Sequence, residues 1–304
     1  MTGSTTPWAA AAHHIAVRAF DWLDTATEHF ALPADASLDQ LDINKHIKPL
    51  SELALAGSIA VREKATGSRE TRLAPALVKF AWRQLRDGDV LYELQRANPT
   101  VTHPMETYAP FVRAGYHHRR LEELLAHLTS LRAAQVIELL PTRALAVLNA
   151  TRTLGLPARA DPAELTARTW LGGTPEPWTT DFSTLYAMTH TVFHLTDWGA
   201  RPDGLPEHLQ AYLHAWLPAW LEVYLEAGQW DLISELLILD LCLTEPAYHP
   251  NAWDCLTRAQ HPNGLLPAGP QRIPQDTAQA FRHHYHPTLA AAIAGTLAVS
   301  RRIS

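Results

Sequence analysis

A chain of 304 residues is long enough to bury a substantial core, in one large domain or two ordinary ones. Its 47% hydrophobic and 18% charged residues make a globular composition, and a net charge of −6 argues against nonspecific nucleic-acid binding. Two cysteines, Cys242 and Cys255, form no disulfide framework and point to a reduced, cytoplasmic setting.

No basic leader followed by an apolar run opens the chain, so no signal peptide is expected. No run of about 18 apolar residues is present to span a membrane. The nearest, 234–243, is interrupted by Glu235 and Asp240. Helical patterns fill the rest. The first, 8–30, is alanine-rich and closes at Leu32-Pro33; a second runs from about Lys48 to Glu63 with Leu53, Leu55 and Ile59 apolar. The next, 73–86, carries Leu77, Phe80, Trp82 and Leu85 and stops at Asp87-Gly88. Shorter helices are expected over 90–96, 104–113, 117–128, 131–139 and 141–154. Asp161, Pro162 and Glu164 have the form of a capping box. Glycines and prolines over 171–180 mark a candidate internal boundary. Beyond it, helices are expected over 181–197, 205–227, 229–243, 249–259, 274–285 and 287–300. No alternating runs between hairpin turns suggest a sheet. The expected fold is therefore all-α, a single domain (1–304) of about 13 short helices. They are too short for a simple four-helix bundle and show no fixed repeat of a solenoid. A closed ring of antiparallel helix pairs, an α/α toroid, is the remaining common solution.

The stretch 183–197 is the most informative. Leu185, Met188, Val192 and Leu195 fall on one helical face, while Tyr186, His190, His194 and Asp197 stand on the other. His190, His194 and Asp197 are spaced i, i+4, i+7, so they project along one stripe. The three are candidate ligands for a divalent metal, Zn or Fe, or else members of a polar network. Near the C-terminus His283, His284 and His286 cluster ahead of Pro287. Proline suits a first helical turn, which predicts a helix starting there with His286 at its positive end and therefore neutral. Closing the ring would bring His283 or His286 within reach of His190, His194 or Asp197. Seven of the ten tryptophans lie between Trp170 and Trp253, a candidate wall for core or cavity, with Trp198 and Trp253 as candidate substrate contacts alongside Tyr186.

Residues 253–267, with Gln260 and Gly264, resemble the helix–Q-x-x-x-G–turn signature of the toroid superfamily that includes terpene cyclases and prenyltransferase β-subunits. Tyr285-His286-Pro287-Thr288 resembles a segment that opens the final inner helices of that superfamily. The resemblance implies the ring fold and carries no reaction. The Asp-x-Asp-Asp run of class II terpene cyclases is missing, and Asp21-Trp22-Leu23-Asp24 does not match it. Asp254 and Cys255 are adjacent, unlike the Asp-x-Cys zinc pair of prenyltransferases, although His286 matches their distant histidine. Lys48-Pro49-Leu50-Ser51-Glu52-Leu53-Ala54, together with Thr189-His190 and Thr196-Asp197-Trp198-Gly199, also resembles an actinobacterial family of unknown function associated with natural-product gene clusters.

Two expectations for function follow. One is a metal-assisted tailoring enzyme of natural-product biosynthesis, acting on a small-molecule or peptide substrate. In it, His190, His194 and Asp197 bind the ion while His286 or His283 handles a proton. The other is a non-catalytic helical scaffold or peptide-binding partner of another enzyme, with the histidine stripe as a polar network.

Overall fold

The computed structural model describes residues 7–33, 37–64, 70–158 and 160–303; the first six residues, where a leader would begin, lie outside them. The periodic segments become fourteen α-helices, and no strand occurs among the described residues. In chain order they are α1 (Pro7–Thr25), α2 (Thr27–Phe30), α3 (Lys48–Glu63), α4 (Glu70–Gln84), α5 (Asp89–Ala97), α6 (His103–Arg113) and α7 (Arg119–Ser130). The second half adds α8 (Pro141–Thr153), α9 (Pro162–Ala167), α10 (Phe182–Thr196), α11 (Glu207–Glu226), α12 (Trp230–Leu241), α13 (Pro250–Ala259) and α14 (Thr277–Ile303).

Six of these, α3, α6, α8, α10, α12 and α14, pack each against the next, and α14 returns to α3. They form a closed ring. Behind it, α1 packs on α14 and α13, α4 on α3, α5 on α6, and α11 on α12. The ring draws helices from both sides of 171–180. That stretch is pinned by Tyr212 and Trp220 of α11, which donate hydrogen bonds to the carbonyls of Pro175 and Pro177.

Two sequence expectations change. The apolar run 131–139 is not a helix; only Arg132–Gln135 makes a 3₁₀ turn. Pro141 starts α8, and its ring keeps Leu140 extended at ψ 142°, so the preceding residues cannot continue a helix into it. Secondly, 274–285 and 287–300 are not two helices. α14 runs through Pro287, which gives up one backbone donor inside a helix whose other contacts hold it straight enough to continue. The Thr288 hydroxyl donates to the His284 carbonyl and accepts the Leu266 backbone N–H at this point.

Small residues let α14 sit deep. Ala290, Ala291, Ala292, Ala294, Leu297 and Ala298 are buried. A Cβ on Gly295 would stand 2.4 Å from the Ala12 carbonyl oxygen of α1. Gly295→Val should therefore push the two helices apart and destabilise the protein by about 1–3 kcal/mol, read as a lower urea midpoint. The Gln260–Gly264 pair is a clasp onto α1. The Gln260 amide donates to the Ile15 carbonyl, and Gly264, at φ +100°, passes so close to the Arg18 carbonyl that no side chain fits.

Candidate active site at the centre of the ring

All six ring helices contribute to a cavity of about 460 Å³. α10 supplies Tyr186, His190, Phe193 and His194; Glu52, Arg143, Glu235 and His286 come from α3, α8, α12 and α14. α10 can do this because its other face is committed: Leu185, Met188, Val192 and Leu195 are at most 4% exposed, as their spacing predicts. Asp181 starts the helix by accepting the Thr184 N–H.

His286 lies at the heart of the cluster. Its Nδ1 is 3.2 Å from Glu52 Oε2, its Nε2 is 3.1 Å from the Tyr186 hydroxyl, and Glu235 Oε1 and Asp231 Oδ1 stand 3.5 and 3.8 Å from Nε2. Burial alone would push this imidazole toward neutrality, but the carboxylates of Glu52, Glu235 and Asp231 outweigh it and hold its pKa well above the ordinary value. The neutral His286 expected from a helix start is thus corrected. The residue sits inside α14, away from any helix N-terminus, and faces three carboxylates.

Its partners are fixed in turn. Glu235 is 2% exposed, accepts the Thr189 hydroxyl at 2.5 Å and lies 3.6 Å from His190 Nδ1. Burial opposes ionisation of Glu52, yet His286 and Lys48 more than offset it and its pKa falls below the usual range. Asp231 has no such relief. Its Oδ1 is buried without a hydrogen bond, and desolvation, aided by Glu235 and Glu52, pushes its pKa up to about 6 despite His286. Burial also raises Tyr186, reinforced by the same carboxylates, so its phenol keeps its proton.

His190 and His194 both line the cavity, their ring centroids 6.1 Å apart. His190 Nδ1 is 2.8 Å from the Tyr186 carbonyl, which leaves Nε2 free of that bond. Burial, with His190 and Arg143 nearby, pushes His194 down to about 3, so it is a neutral imidazole. Asp197 does not join them. It is the C-cap of α10 in the left-handed conformation (φ 48°), and its carboxylate takes Arg113 Nη2 at 2.5 Å and Asn149 Nδ2 at 3.1 Å. The predicted His190, His194 and Asp197 stripe therefore does not converge on one ion. Among the described residues no group of three His, Cys, Asp or Glu side chains is arranged to hold a metal ion.

Of the other expected contacts, Trp198 lines the cavity and stacks on Phe193 at 4.4 Å, while Trp253 is fully buried in the core away from it. His283 is exposed and outside the cavity lining; its ring packs edge-on against His284. Glu52, Asp231 and Glu235 were not singled out from sequence. The available signal was Glu235 and Asp240 interrupting the mostly apolar α12: buried carboxylates there must find partners.

A ring of helices around a polar, histidine- and carboxylate-lined cavity defines the class of protein. Residues 16–296 match the model of a family described as a domain of unknown function (DUF6895), and the chain belongs to that family. No curated protein and no solved structure matches it. No helix of the described residues is long and apolar enough to cross a membrane.

Proposed function

We propose that this protein is an enzyme that moves protons to and from a small molecule held in the central cavity, with His286 as the acid, Glu52 as the basic side and the protonated Tyr186 as a hydrogen-bond partner that orients His286. The observation that carries this reading is the clamp on His286: a half-buried imidazole within 4 Å of Glu52, Asp231, Glu235 and Tyr186 at the wall of a cavity. Strongly perturbed, mutually coupled titratable groups in a cleft are the usual arrangement of acid–base sites. Leu55, Ile238, Leu289 and Ile293 give the same cavity an apolar floor, which suits a ligand with a hydrocarbon body and one or two polar atoms.

Asp197, expected from the sequence as a ligand beside His190 and His194, is paired with Arg113, and this reading rests on the titratable groups around His286 instead. A tailoring role in natural-product biosynthesis, on a small molecule or a peptide end, fits a cavity of this size. The free thiols Cys242 and Cys255 fit a cytoplasmic setting, with burial pushing Cys242 up to about 12 and leaving it unreactive.

The test is an NMR titration of the imidazole nitrogens. His286 should be doubly protonated at pH 7.5, and Glu52→Gln should lower its pKa by a unit or more. A His286 that is neutral at pH 7 sinks the acid role. The sign for stability follows: a raised histidine pKa contributes stability complete below about 6.5 and lost as pH rises through the folded value. Unfolding free energy should therefore decline on the alkaline side in wild type more than in His286→Asn.

A further inference from the structure

A second cavity, of about 500 Å³, lies on the opposite side of the α6–α8 pair from the first. The two share that wall. Glu106 and Arg143 face the central cavity and form an ion pair at 2.6 Å, while their neighbours Met105 and Ala144 line the second one. Its chemistry is different. Most of its lining is aliphatic, from Leu125, Leu128, Val147, Leu148 and Leu165 among others, and Arg168 is the one charged residue among the described lining residues. Arg168 caps the C-terminus of α9, is exposed, and makes no ion pair among the described residues.

The cavity wall is built rather than incidental. Gln95 is 2% exposed, and its side-chain amide donates to the carbonyls of Asn98, Pro99 and Val101, holding the 98–101 turn in place as one side. Its Oε1 is buried with no donor. The segment 131–140 contributes Leu131, Ile137 and Leu139 to the lining, yet it also turns Val136 and Leu140 out to solvent at 73% and 74% exposure. An apolar strap with so little burial of its own gains most of its packing when the space beneath it is filled.

We propose that this second cavity is a binding site for an anionic amphiphile, a molecule with an alkyl or acyl body and a carboxylate-type head. The body replaces water along the aliphatic lining, and the head pairs with Arg168, whose planar guanidinium suits a carboxylate. A neutral apolar ligand leaves the arginine unused, and a cationic one meets repulsion. The site is independent of the acid–base reading, since none of the residues around His286 lines it.

Isothermal titration of the whole protein with dodecanoate and with dodecan-1-ol tests the assignment. Dodecanoate should bind with one-to-one stoichiometry. Ala144→Trp fills the space and should weaken it at least tenfold, with unchanged circular dichroism; Leu128→Trp, from α7, serves the same purpose should the first variant fail to fold. Arg168→Ala should weaken dodecanoate about tenfold, the size of one lost charge-assisted hydrogen bond, and leave dodecan-1-ol within twofold. No binding of dodecanoate, or binding indifferent to both cavity-filling substitutions, overturns the site. Equal responses of the acid and the alcohol to Arg168→Ala overturn the anionic head.

Discussion

Asp231→Asn should make the protein more stable at pH 8, by about 3 kcal/mol, while lowering the pKa of His286. Asp231 is mostly buried, its Oδ1 has no hydrogen bond, and its pKa is pushed up to about 6 from 3.8 by desolvation and by Glu235 and Glu52. A carboxyl raised in the folded state favours folding fully only below its unfolded pKa, and that contribution is lost as pH rises through 6. A shift of about two units at about 1.4 kcal/mol each sets the size of the cost above that pH. The amide keeps the shape and removes the charge. Urea titrations at pH 3.5 and pH 8 separate the cases: the gain should be confined to the higher pH. A variant equally stable to wild type at pH 8 would show that Asp231 is compensated after all.

The second large effect is the reverse. Asp197→Ala should destabilise the protein by about 3–5 kcal/mol, because it strands the buried Arg113 guanidinium, one-tenth exposed, and removes the carboxylate 3.9 Å from Arg62. Alanine also sits less comfortably than aspartate in the left-handed conformation found here. Asp197→Asn, which retains one acceptor and tolerates that backbone, should lose about half as much. His190→Ala, at a partly exposed position, should cost far less. Chemical denaturation of the three variants orders them; an Asp197→Ala no worse than His190→Ala would contradict the ion-pair account.

The sequence was legible where one force acts alone. Leu185, Met188, Val192 and Leu195 are buried as their spacing requires, and Tyr186, His190 and His194 on the facing side do reach the cavity. His286 and His190 meet across Glu235, which lies 3.5 and 3.6 Å from them, although a long stretch of chain separates the two histidines. Helical spacing puts Asp197 on the stripe, but α10 ends at Thr196, one residue before it. The helix stops where Asp197, Trp198 and Gly199 all take positive φ, and a glycine just past a helix end is the signal for that stop. Their carbonyls are then taken up by Arg62 and Arg301, a tertiary arrangement with no local sequence mark. Pro287 suggests a helix start because proline inside a helix loses a hydrogen bond; burial of α14 against α1, α3 and α12 outweighs that loss. Charge environment is the least legible property. Whether an imidazole is charged depends on which carboxylates other helices bring to it, and no window on α14 contains Glu52 or Glu235.

The position of α14 also dictates the order in which this protein can be completed. It follows the other thirteen described helices in the chain, yet it packs on α1 and closes the ring between α12 and α3. During synthesis, α1 to α13 emerge with the apolar faces meant for α14 uncovered, and Glu52, Asp231 and Glu235 without their shared cation. A ribosome-bound chain lacking this one segment can hold helices but not the cavity. Such a late, long-range closure favours chaperone dependence during translation, and truncations within 277–303 should yield aggregates rather than smaller folded proteins.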